Sequence, residues 1–181
     1  QKPHPPIWSA CMTDETARLT GEMGFGALVG TDAGVDTVER TISVYKEAVG
    51  SARPVGKFIN NHVAAMSTAY CHEGKETVRE RGTEIMDWYM EQQRARARLV
   101  WRGVDRESVS PDYLGYFDKD LHLAQGPHPG DPKPRDVVEK GQPYCVGDPD
   151  DCIRFVERYE AMGVEEFFPL VQIGPMSHQE V

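Results

Sequence analysis

Ile7-Trp8-Ser9-Ala10-Cys11 leads through Met12 into Thr13-Asp14-Glu15-Thr16, and Phe25-Gly26-Ala27-Leu28-Val29-Gly30 follows after one helix length. The first run is short, mostly apolar and entered from Pro5-Pro6, which reads as a strand. Thr13 then stands as an N-cap, with two acids in the first turn that follows. Ala17, Leu19 and Met23 supply apolar positions, Gly24 is a stop, and the second run reads as another strand. Strand, helix, strand within 30 residues is the opening of an α/β fold.

The alternation continues outward. A second helix begins at Asp36, with Val38, Ile42, Tyr45, Ala48 and Val49 near helical spacing. Gly50 to Pro54 reads as a loop and Val55 to Met66 as a third strand region. Order then breaks. Gly74 to Arg102 is a long, charged helical stretch. Its Arg94, Arg96 and Arg98 are interleaved with Glu80, Glu84, Asp87 and Glu91, the pattern of a solvated face rather than a nucleic-acid patch. Asp105 to Gly141 carries Pro111, Pro127, Pro129, Pro132 and Pro134 and is expected to be a loop-rich, mobile excursion anchored by Tyr113, Tyr116, Phe117 and Leu121. Asp148-Pro149-Asp150-Asp151 starts a helix with a cap, Pro at its first position and two acids. Ile153, Val156, Tyr159 and Met162 share one face, Gly163 stops it, and Phe167 to Ile173 is the fourth strand. Ser177-x-x-Glu180 is a further helix start.

Parallel strands covered by helices fit this order. The expected fold is the C-terminal half, about four βα units, of a (β/α)8 TIM barrel. Residues 1–181 form one partial domain, with residues 74–141 as a helical and Pro-rich insertion. A flavodoxin-like open sheet is the alternative. Whole barrels run to about 250 residues, and both ends of the chain look cut from something longer. Half a barrel exposes two edge strands and an apolar inner face. The expectation is therefore a homo-oligomer, or assembly with a missing amino-terminal half.

Composition narrows the partners. The net charge of −9 disfavours nucleic acid and anionic membranes. Mean hydropathy is −0.53, and no apolar run approaches the roughly 20 residues of a membrane span. Cys11, Cys71, Cys145 and Cys152 form no C-x-x-C pair, so a metal site is not expected. They read as free thiols of a reducing, cytoplasmic compartment.

Ligands of α/β proteins lie beyond the carboxyl ends of the strands. Those positions are Cys11-Met12-Thr13, Thr31-Asp32, Ser67-Thr68 and Gly174-Pro175. At the first, free N–H groups at a positive helix end and the hydroxyls of Thr13 and Thr16 form a phosphate seat without lysine. An ordinary capped helix start has the same local sequence. No nucleophile with a base is legible. His62 reads as a packed core histidine and His178 as a solvated side chain.

Three stretches together resemble the carboxyl half of the luciferase-like, flavin-dependent monooxygenases. They are Lys2-Pro3-His4-Pro5-Pro6-Ile7-Trp8-Ser9-Ala10 running on to Gly24-Phe25-Gly26, Val146-Gly147-Asp148-Pro149 running on to Met162-Gly163-Val164, and Gly174-Pro175-Met176-Ser177-His178. The resemblance implies a TIM barrel that binds reduced FMN, or sometimes coenzyme F420, and uses dioxygen to oxidise a small organic substrate. A separate flavin reductase would supply the reduced flavin. It further implies that Cys11, Met12, Thr13 and Thr16 form the flavin-phosphate site, with Met12 where luciferases have an acid. The catalytic residues are expected in the amino-terminal half of such a protein. A non-catalytic half-barrel that only packs against a partner chain is the rival from another class.

Overall fold

The computed structural model describes residues 2–180. Five parallel strands form its sheet: β1 Trp8–Ala10, β2 Gly26–Gly30, β3 Val63–Cys71, β4 Cys145–Gly147 and β5 Glu166–Leu170. The helices are α1 Asp14–Glu22, α2 Val35–Val49, α3 Lys75–Val100, α4 Leu114–Ala124, α5 Pro134–Lys140 and α6 Pro149–Ala161. The β1-β2-β3-β5 run, with α1, α2 and α6 on one side, is half a (β/α)8 barrel.

The helices begin where local chemistry says they should. Thr13 accepts from the Thr16 N–H at 3.1 Å and starts α1. Asp148 and Asp151 exchange reciprocal side-chain bonds with each other's backbone N–H at the start of α6. Each cap satisfies donors that a helix end otherwise leaves orphaned.

β3 is the centre. Its residues 63–66 pair with Ala27–Gly30 of β2. Its residues 64–68 pair with Glu166–Leu170 of β5, and its last three with all of β4. Alternate residues face opposite sides. Ala27, Val29, Val63, Ala65 and Phe167 point to the helices, where Val38, Ile42, Tyr45, Phe155 and Tyr159 complete the larger core cluster. Leu28, Met66, Phe168 and Leu170 point to the other side. Met66, Phe168 and Leu170 are 38%, 48% and 39% exposed, so this inner face is apolar and open.

The third strand lies later than the sequence predicts. Val55 is 72% exposed and Ile59 44%. Their segment is a loop because its N–H groups bond to the end of α1 and the turn after it: Arg53 to the Glu22 carbonyl, Val55 to that of Met23, Asn60 to that of Gly24. Ser67 and Thr68 therefore lie inside β3, not at its end. His62 is exposed, not a core histidine, with Nδ1 3.3 Å from the Glu165 carboxylate.

The segment before α6 also differs from the expected loop. α4 docks through Phe117, 2% exposed, whose ring meets Trp101 edge-on at 4.9 Å. α5 inserts Val137 and Val138 into a second cluster with Val78, Ile85 and Met86 of α3. The arginines of α3 are not one solvated face. Arg94 is buried, and Arg96 pairs with buried Asp120 at 3.0 Å. Arg98 is exposed beside Glu91.

α1 and α2 approach closely at Gly21, where an added Cβ would lie 2.8 Å from the Val49 nitrogen and 2.9 Å from the Tyr45 carbonyl oxygen. Inside a helix, Gly→Ala ordinarily stabilises by about 1 kcal/mol. Gly21→Ala is expected to reverse that sign, lowering the urea midpoint with little change in slope. A raised midpoint would show that the two helices can separate at no cost.

Candidate cofactor site

Two adjoining clefts open at the carboxyl ends of the strands. They share Ala10, Met12 and Tyr116.

The first cleft, about 320 Å³, covers the start of α1 and is lined by Thr13, Glu15, Thr16, Leu19 and Tyr113 besides the shared residues. Thr13 is extended (φ −141, ψ 158), and its hydroxyl lies 2.9 Å from that of Thr16. The Ala17 N–H closes the first helical turn on the Thr13 carbonyl. The N–H groups of Asp14 and Glu15 meet no acceptor among the described residues. The first-turn carboxylates would oppose an anion here, but both are occupied. Arg40 Nε lies 3.0 Å from Asp14, and Arg18 grips Glu15 through two nitrogens. That guanidinium holds the Glu15 carboxyl below its ordinary range. What remains is a helix end with two unpaired donors and two hydroxyls, which suits a phosphate.

The second cleft, about 280 Å³, lies over the inner ends of β1, β2, β3 and β5. Met66 and Leu170 form its floor, and Tyr89, Gln93 and Arg96 of α3, Tyr116 of α4 and Tyr144 form its wall. Arg96 is steadied by the Asp120 carboxylate at 3.0 Å and the Tyr116 hydroxyl at 3.4 Å. Burial pushes the Tyr89 and Tyr144 phenols upward, and the Asp32 carboxylate pushes both further. Both are therefore protonated donors at neutral pH. Thr68, 2% exposed, interacts with the Tyr89 phenol but does not reach hydrogen-bond geometry with any partner among the described residues. A buried hydroxyl without a partner is costly unless a ligand satisfies it. Binding pockets of about 300–1,000 Å³ are usual for small molecules, so each cleft alone is small and the two together are adequate.

Of the four residues singled out from the sequence, Met12, Thr13 and Thr16 border these clefts. Cys11 does not. It is 4% exposed and its thiol turns to the Thr20 hydroxyl at 3.5 Å. Burial pushes that thiol up. The tyrosine wall was not singled out as a site. Only Tyr113 and Tyr116 could be marked, as anchors of their segment.

Half a parallel barrel with clefts over the carboxyl ends of its strands defines the class: a barrel whose ligand site lies at the strand ends. Residues 1–166 match the family described as luciferase-like monooxygenase, and the chain belongs to that family. Among solved structures it is similar to the monooxygenase RslO1 from Streptomyces bottropensis at 20% identity and TM-score 0.59, covering 99% of this chain and 45% of that one. It is also similar to the oxygenating constituent of 3,6-diketocamphane monooxygenase from Pseudomonas putida, a type II Baeyer-Villiger enzyme in complex with FMN, at 19% identity and TM-score 0.59, over 93% and 42% of the two chains. Similarity extends to the coenzyme F420 dependent tetrahydromethanopterin reductase from Methanopyrus kandleri at 16% identity and TM-score 0.54, over 97% and 47%. The chain thus spans less than half the length of these structures. No curated protein matches it. Among the described residues, no helix is long and apolar enough to cross a membrane.

Asp120 is 2% exposed and serves both Arg96 and the Trp101 indole N–H, the latter at 2.8 Å. Asp120→Ala is expected to cost about 2 kcal/mol, because a half-exposed arginine loses a buried partner and an indole donor is orphaned. Urea unfolding checks the magnitude. A loss below about 0.5 kcal/mol, the level of a surface substitution, would mean that the pair does not hold α4 to α3.

Proposed function

We propose that this chain supplies the carboxyl-side half of a flavin-dependent monooxygenase, in which the start of α1 holds the phosphate of reduced FMN. The observation that carries the reading is the cleft at Thr13 and Thr16, with two free N–H groups and neutralised acids, continuous with an aromatic-walled cleft. Met12 contributes its backbone and part of the cleft wall, and Cys11 supports the strand end from behind. Bound reduced flavin would supply the electrons that activate dioxygen. The chain's own residues bind and orient: the Thr13 and Thr16 hydroxyls position the phosphate, while Tyr89, Tyr144 and the Thr68 hydroxyl offer hydrogen bonds deeper in. A small organic substrate is the other occupant, and a flavin reductase the external donor. The catalytic residues lie in the complementary half. Residues 74–141 act as an insertion at the mouth, since Tyr89, Arg96, Tyr113 and Tyr116 all come from it.

F420 is the second reading, favoured by the F420-dependent neighbours on the same fold. Titration of FMN and of F420 into the protein separates the two. Thr13→Ala removes a cap at about 1 kcal/mol of stability and is expected to weaken FMN binding as well. Thr16→Ala is expected to weaken FMN about tenfold with little loss of stability, as for one lost bond to a charged group. Unchanged flavin affinity in both variants leaves an ordinary capped helix. Tighter binding of F420 than of FMN to the unaltered protein shifts the cofactor.

The open inner face and the edges of β1 and β5, unpaired among the described residues, call for a cover. Completion by a second half-barrel, from another copy or from the amino-terminal half, is the expected state. Light scattering of the 181-residue chain alone at high concentration should report association. A monodisperse monomer is the contrary result.

A further inference from the structure

Two charged side chains line the second cleft, Asp32 and Arg96. Arg96 is fully engaged. Its three nitrogens face the Gln93 side-chain oxygen at 3.3 Å, the Tyr116 hydroxyl at 3.4 Å and the Asp120 carboxylate at 3.0 Å, and Asp120 cancels its charge. The Asp32 carboxylate has no such partner. Among the described residues it enters no hydrogen bond and no ion pair. The cleft is left with one uncompensated negative charge. Gly30 lets that charge lie over the floor. It pairs with Met66, and alternate residues of a strand share a side, so its bare Cα faces the same way as Met66 and Thr68. A Cβ on Gly30 would lie 2.6 Å from Asp32 Oδ1 and, beyond Asp32 and its own chain neighbours, would meet nothing within 4 Å. The carboxylate thus folds back over bare backbone with open space beside it. Burial first, and this charge second, push the Tyr144 phenol up, and both add to the rise at Tyr89. On the same face the Thr68 hydroxyl, buried and without a partner among the described residues, lines the cleft.

We propose that the second cleft binds a small organic cation, a protonated amine with an apolar body. Asp32 neutralises the ammonium group, and the Thr68 hydroxyl accepts one of its N–H bonds. The rings of Tyr89, Tyr116 and Tyr144 suit a cation because the face of an aromatic ring is its negative side. The apolar body lies on Met66 and Leu170, which form the floor. A carboxylate beside apolar and aromatic walls attracts a cation more strongly than one in open water, because the local dielectric is lower. A neutral alcohol of the same shape forgoes that attraction, and a carboxylate ligand meets like charge with no free guanidinium to offset it. That such a cation is the organic substrate of the monooxygenase rests on the flavin reading above; its binding to the cleft does not.

The test is calorimetric titration of the 181-residue chain with benzylamine, benzyl alcohol and benzoate at neutral pH and low salt, with FMN titrated in separate samples. Benzylamine is expected to bind about tenfold more tightly than benzyl alcohol, as for one interaction with a charged group, and benzoate not to bind. Asp32→Asn keeps the shape of an exposed side chain, so its urea midpoint should hold while the preference for the amine disappears. Thr68→Val keeps the shape of a buried one. It should weaken benzylamine about tenfold with a urea midpoint unchanged or raised, because the hydroxyl it removes has no partner. Equal affinity for amine and alcohol, tighter binding of benzoate, benzylamine affinity unchanged in either variant, or no binding of any probe would each overturn the proposal. Loss of FMN binding with the amine preference intact would count against the flavin reading alone.

Discussion

One strand carries the sheet. β3 is nine residues long and hydrogen-bonds to β2, β5 and β4, while β1 reaches it only through β2. Its helix-facing side is sealed: Val63 and Ala65 are both 0% exposed. Small residues predominate because three neighbours and the helices crowd it, and a larger side chain at the fully buried Ala65 would overpack the helix-facing side. The second cleft is lined by the same strand, since Met66, Ser67 and Thr68 are its central residues.

What was legible in the sequence was what is local. Thr13 and Asp148 announce their helices because a cap is an interaction within one turn. The βα order follows from apolar period and glycine stops, and it led to the half-barrel. The third strand was misplaced because Val55, Phe58 and Ile59 are as apolar as a strand, and only distant carbonyls decide that their segment pairs with a helix end instead. β4 escaped notice because three residues, Cys145–Gly147, are too few to show alternation. Arg96 reads as solvated until Asp120, which lies on the next helix α4, comes back beside it. The tyrosine wall is of the same kind, drawn from α3, α4 and the approach to β4, with no local pattern joining its members.

The charges around α1 show a related economy. A helix whose first turn is acidic gains from its own dipole, yet acids are poor neighbours for a phosphate. Arg40, from α2, and Arg18, from the next turn of α1, reconcile the two demands by pairing with Asp14 and Glu15. The helix keeps its stabilising carboxylates, and the cleft sees a nearly neutral rim around free N–H donors.

The long detour between β3 and β5 sets the order in which the chain can fold. β1, α1, β2, α2 and β3 are joined by short connections and share one core, so their contacts form at small entropic cost. The Val63 N–H reaches the Glu165 carboxylate across 102 positions, and β5 can dock only after that loop closes. Loop closure grows costlier with length and slows folding in proportion to such separations. The first three strands are therefore a natural early unit. β5 therefore adds the long-range part of the sheet, and its pairing with β3 carries the largest loop-closure cost among the strands.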